Sequence, residues 1–179
     1  MSAVLSTRTV ARAGLAVVSA AALTLGLASS ASAATANRTI VDGSTTYNLS
    51  VTGPNTAPAT GANVTVTGTG YNSWQGVYVG LCAVSGGQGA NKPTPCLGGQ
   101  DEAGTTGASY WVSNFGGGLL PNSSTFKSGG SFTAKIHIKA DLGGGNICGD
   151  TVDCAIVTRA DHTDSSDRKY DVHIPVTFS

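Results

Sequence analysis

The chain has 179 residues, with ten basic and ten acidic side chains and only 11% of its residues charged. With no basic stripe to follow a phosphate backbone, this balance excludes tight electrostatic binding of nucleic acid. Twenty-five glycines and abundant Ser, Thr and Ala suit an extracellular β-protein with tight turns better than a helical one.

The N-terminus reads as an export signal. Arg8 and Arg12 form a positive leader, Ala13 to Leu27 is an apolar run of small residues, and Ala31-Ser32-Ala33 is a cleavage motif. Residues 1–33 are therefore expected to be a signal peptide, which leaves 146 residues as a secreted, extracellular chain of one domain carrying a net charge of −2. No later segment is apolar for long enough to span a bilayer, so no membrane partner is expected.

In chain order, residues 34–45 read as a flexible polar leader ahead of a domain over 46–179. Strands are expected at Tyr47–Thr52, Asn63–Thr67 and Gly76–Val84. On the last of these, Val77, Val79, Leu81 and Ala83 share one face, and Tyr78, Gly80, Cys82 and Val84 the other. Gly86–Gly107 is a long Gly- and Pro-rich loop, and Asn114–Gly130 is a second. Further strands are expected at Ser109–Val112, Ser131–Ala140, Cys154–Arg159 and Tyr170–Phe178, with Pro175 marking an edge or a bulge. Seven alternating strands with turn signals and no helical period predict an all-β, seven-stranded immunoglobulin-like β-sandwich.

All four cysteines fall after the signal: Cys82, Cys96, Cys148 and Cys154. An even count in an exported chain argues for disulfides, and three connectivities are possible. The sequential pairing, Cys82–Cys96 and Cys148–Cys154, is favoured because each pair closes a short glycine-containing loop. The first would brace a β-ribbon beside the core. A four-thiolate metal site fits poorly because there is no CxxC pair, and no metal is expected.

Catalytic signatures are lacking, so an enzyme is not expected. His137 lies between two lysines on a face that strand parity points outward, and His173 follows the same logic. Asp161-His162-Thr163-Asp164 with Asp167 could hold a cation, but a solvated turn accounts for it better. Binding has more support. Gly80 bares backbone on a strand face, Tyr78 and Val84 flank it, and Trp111 and Phe115 could add an aromatic wall.

The segment VYVGLCAV with its loop cysteine, the TVTGTG lead-in over Thr65–Gly70, the second short cysteine loop running into a strand and the terminal IPVTF together resemble the neocarzinostatin family, over about Leu49 to Phe178. These are secreted apoproteins of enediyne chromoproteins. The resemblance implies a sandwich plus a braced ribbon, with a cleft that shelters a non-covalent aromatic chromophore and no other cofactor. It also implies an antibacterial role in which DNA is reached only through the ligand. It carries over Tyr78, Gly80, Cys82, Val84 and Cys96 from the ribbon side, and Ala155, Val157 and Arg159 from the strand after Cys154. A monomer binding a small aromatic ligand is expected; the alternative is a secreted or cell-surface interaction module with no small ligand.

Overall fold

The computed structural model describes residues 32–99 and 105–179. The expected signal peptide lies, apart from its last two residues, outside the described residues, as does the 100–104 part of the first long loop.

The described chain is all β. Its strands are β1 (Ala33–Asp42), β2 (Thr45–Pro54), β3 (Thr56–Ala57), β4 (Ala62–Thr69), β5 (Val77–Ala83), β6 (Ser109–Val112), β7 (Ser123–Ser124), β8 (Phe132–Ile138), β9 (Asp141–Gly143), β10 (Asn146–Ile147), β11 (Cys154–Ala160), β12 (Val172–Pro175) and β13 (Thr177–Phe178). One main sheet has the order β1-β2-β4-β8 and the other β12-β11-β5-β6-β7. Pairing is antiparallel throughout the first, and in the second everywhere except between β6 and β7.

The seven expected strands are all present, the last of them divided into β12 and β13 at Val176. Pro175 sits on β12, an edge strand, where its missing N–H leaves no gap in the ladder. Residues 34–45, expected as a flexible leader, are instead β1 and its turn. β1 pairs with β2 along its whole length, from Ala33–Pro54 to Asp42–Thr45. Its inward positions are Ala34, Ala36, Arg38, Ile40 and Asp42, mostly small or polar, so the alternation carries little hydrophobic contrast. The two-residue turn has Gly43 first at φ +60°, where a tight hairpin of the II′ kind requires a positive φ.

One core lies between the two sheets. Leu49, Val51, Val66, Ile136 and Ile138 face it from the first sheet, and Val77, Val79, Leu81, Ile156 and Ile174 from the second, all nearly or fully buried. At roughly 1.5–3 kcal/mol for each fully buried aliphatic side chain, this layer supplies most of the driving force. Two hydroxyls buried within it are partnered. The Tyr71 hydroxyl and Thr158 Oγ1 lie 2.7 Å apart, and Thr158 Oγ1 donates to the Tyr170 carbonyl at 2.9 Å. Both sequential disulfides are formed.

Candidate functional site

Every residue of β5 is buried, on both faces. The core covers Val77, Val79, Leu81 and Ala83. Tyr78, Gly80 and Cys82 point away from it and need a second cover.

Register defines that outer face, because directly opposed residues share a side of the sheet. β11 places Arg159 opposite Tyr78, Val157 opposite Gly80 and Ala155 opposite Cys82. β6 places Trp111 opposite Tyr78 and Ser109 opposite Gly80.

The cover is the segment following β5, which crosses the sheet. At its far side Gln88 Oε1 accepts from the His173 backbone N–H on edge strand β12, at 3.1 Å. Coming back, the Pro93 carbonyl lies 3.5 Å from Arg159 Nη1. The chain then pairs with the end of β5: Thr94 N–H donates to the Ala83 carbonyl, Ala83 N–H to Pro95 and Leu97 N–H to Leu81, at 2.8–2.9 Å. The Cys82–Cys96 disulfide locks this return, and Leu97 enters the core. His173, expected on a solvated face, is buried beneath this cover, and desolvation holds its pKa below the usual histidine value.

Between cover and sheet lies a cavity of about 160 Å³. Of the ten expected ligand-binding residues, Tyr78, Gly80, Cys82, Cys96, Val157 and Arg159 line it. Ala155 is fully buried beneath it, packed with Cys82 and Val157, and Val84 packs half-buried against the same cluster. Gly80 makes the space: a Cβ there would find nothing closer than the Ala108 carbonyl oxygen at 3.5 Å.

Trp111 shares the outer face with Tyr78, but neither it nor Phe115 lines the cavity. Trp111 Nε1 donates to Asp161 Oδ2 at 2.9 Å, and its ring sits 5.5 Å from that of His162. Phe115 is 60% exposed, with its ring 5.6 Å from Trp74.

Sequence reasoning missed Lys92, Thr94, Leu97 and Ser109, which also line the cavity. Ser109 could have been found by pairing SYWV against β5. The other three come from an irregular segment with no periodicity to read.

The Asp161–Asp164 turn has its buried acid held by donors from the turn and from neighbouring segments. Asp161 is buried and accepts from Trp111 Nε1, from Gln75 Nε2 at 3.4 Å, and from Thr163 N–H and Oγ1 at 3.0 and 2.6 Å. His162 Nδ1 lies 2.8 Å from the Tyr78 hydroxyl, which fixes the ring forming one wall of the cavity. Among the described residues no cluster of three His, Cys, Asp or Glu side chains could hold a metal ion.

Arg159 dominates the electrostatics. Among the described residues it makes no ion pair, its Nε is buried without a partner, and its one hydrogen bond is the long one to Pro93. Desolvation holds its pKa below the usual guanidinium range, and the repulsion of Arg168 exceeds the attraction of Asp171. The Asp171 carboxylate is instead held by Arg168 at 3.0 Å, and burial raises its pKa to about 6.

Against known proteins, no family model matches this chain, and no curated protein matches it. Among solved structures, the chain is similar to macromomycin at 21% identity and a TM-score of 0.44, over 73% of this chain and 99% of that one. A likeness this distant carries no argument about ligand or site, so the functional reading rests on the cavity.

Proposed function

We propose that this chain is a secreted binder of a small, partly aromatic molecule, which it sequesters between the outer face of β5–β11 and the disulfide-tied segment over it. The observation that carries this reading is the space above Gly80. A strand otherwise buried on both faces leaves a cavity of about 160 Å³ at the one position without a side chain, walled by Tyr78, Val157 and the Cys82–Cys96 bridge. Preformed concave sites with apolar walls and a few polar groups are the usual form of small-molecule sites. A disulfide holding one wall reduces the ordering cost of binding. Two disulfides suit an oxidising, extracellular setting.

We read the protein as a carrier rather than an enzyme, because the described lining of the cavity holds no His, Asp or Glu to activate Ser109 or Thr94 as a nucleophile. Any antibacterial action on DNA would belong to the released ligand. The test is purification from the secreting host without denaturation, followed by extraction into organic solvent. A stoichiometric aromatic compound supports the reading. A protein that yields nothing and shows no thermal shift with any aromatic test ligand overturns it.

One observation favours the alternative of an interaction module. Trp74, Phe115, Leu119 and Leu120 are 77%, 60%, 84% and 45% exposed. Exposed apolar patches mark interaction sites when they are contiguous. The Trp74 and Phe115 rings are adjacent, and the two leucines follow in the same loop.

A further inference from the structure

We infer that the cavity selects a small carboxylate carried on a single ring, with Arg159 as its counter-ion. This inference rests on the carrier reading above and specifies the chemistry of that site.

Size comes first. A cavity of about 150 Å³ with apolar walls accepts one benzene ring, and this one measures about 160 Å³. Drug-sized ligands occupy pockets of roughly 300–1,000 Å³. The enclosed part of the ligand is therefore one ring, lying flat over Gly80 between Tyr78 and Val157.

Charge comes second. A cation taken from water must be compensated by partners, or it destabilises the fold. Arg159 lines the cavity, yet no carboxylate among the described residues reaches it. The acid that acts on it through space, Asp171, is engaged by Arg168. Lys92, exposed on the cover, adds a second cation to the cavity lining. A carboxylate seated between the two would supply the missing charge. Its planar pair of oxygens matches a guanidinium edge, a geometry that lysine does not reproduce. An amine-bearing ligand would meet two cations that no carboxylate among the described residues pairs across the cavity.

The test uses the mature protein and three probes: benzoate, benzamide and benzylamine, titrated by calorimetry at constant ionic strength. Benzoate is expected to bind at least about tenfold more tightly than benzamide, because hydrogen bonds to charged groups are the stronger class, and benzylamine not to bind. Arg159→Met should abolish the preference for benzoate while retaining benzamide. Arg159→Lys should restore part of it, which separates lost charge from lost fold. Equal binding of benzoate and benzamide, or a preference that survives in Arg159→Met, overturns the inference and leaves the carrier reading standing. Failure of all three probes to bind counts against the carrier reading itself, and the inference falls with it.

Discussion

Gly80 on β5 and Val157 on β11 stand directly opposite each other on the outer face of the five-stranded sheet, and the space above this pair is the cavity floor. An added Cβ at Gly80 meets only ordinary van der Waals contacts, 3.5 Å or more away. Gly80→Ala should therefore fold with a stability change within about 1 kcal/mol, gaining slightly from reduced chain entropy in the unfolded state. Gly80→Leu should fill the cavity and eliminate binding of a single-ring ligand. Urea melts combined with ligand titration check both.

The Cys82–Cys96 bridge, with a sequence separation of 14, ties the cover to the sheet. Loop-closure entropy for such a span is worth about 3 kcal/mol. Replacing both cysteines by alanine should cost roughly that much stability and weaken ligand affinity, because the cover loses its anchor. The Cys148–Cys154 bridge, with a separation of 6, closes a smaller loop away from the cavity. Its removal should cost less and leave affinity unchanged. Denaturant melts and binding of the two double variants make the comparison.

Trp111 stands beside the cavity wall Tyr78 on the outer face of the sheet but does not line the cavity. Its Nε1–H is spent on the buried Asp161 carboxylate. Trp111→Phe should destabilise the fold by about 1.5–3 kcal/mol, the range for a hydrogen bond to a charged group. Affinity for a single-ring ligand should change little. A large loss of affinity at unchanged stability would return Trp111 to the site.

These cases show where the sequence was informative. Parity along VYVGLCA places Tyr78, Gly80 and Cys82 on one face, because alternation is a local property of the strand. The cysteine spacing favoured the sequential pairing for a similarly local reason. Residues 34–45 concealed a strand because the inward positions Ala34, Ala36 and Arg38 give no hydrophobic contrast. Lys92, Thr94 and Leu97 were hidden because their positions depend on tertiary hydrogen bonds to β5. His173 was misplaced because parity identifies a face but not what covers it.

The pH dependence should have two limbs. Burial raises the Asp171 pKa to about 6, above its ordinary value of 3.8, so the folded state holds this proton more tightly than the unfolded chain. This proton therefore adds stability as pH falls from about 7 towards 4, whereas His173, whose pKa burial holds below the ordinary 6.5, removes stability in the upper part of that window because the unfolded chain takes up its proton first. Asp42 acts in the opposite sense. Hydrogen bonds from Lys169, Tyr170 and Asn72 hold its pKa at about 2, so its contribution is present above the ordinary value and is lost as pH falls towards 2. In a His173→Gln background, which removes the opposing imidazole, melting temperatures between pH 2 and 8 should peak at about pH 4–5. Asp171→Asn should flatten the upper limb and leave the lower one in place.

The central claim is that the space over Gly80 is a ligand site. The most direct test is an amide chemical-shift titration of the 15N-labelled mature protein with a single-ring aromatic carboxylate. Saturable shifts are expected at Gly80, Leu97, Ser109 and Val157, with the Arg159 side-chain resonance moving in step. Shifts centred on Trp74 and Phe115, or none that saturate, would contradict it.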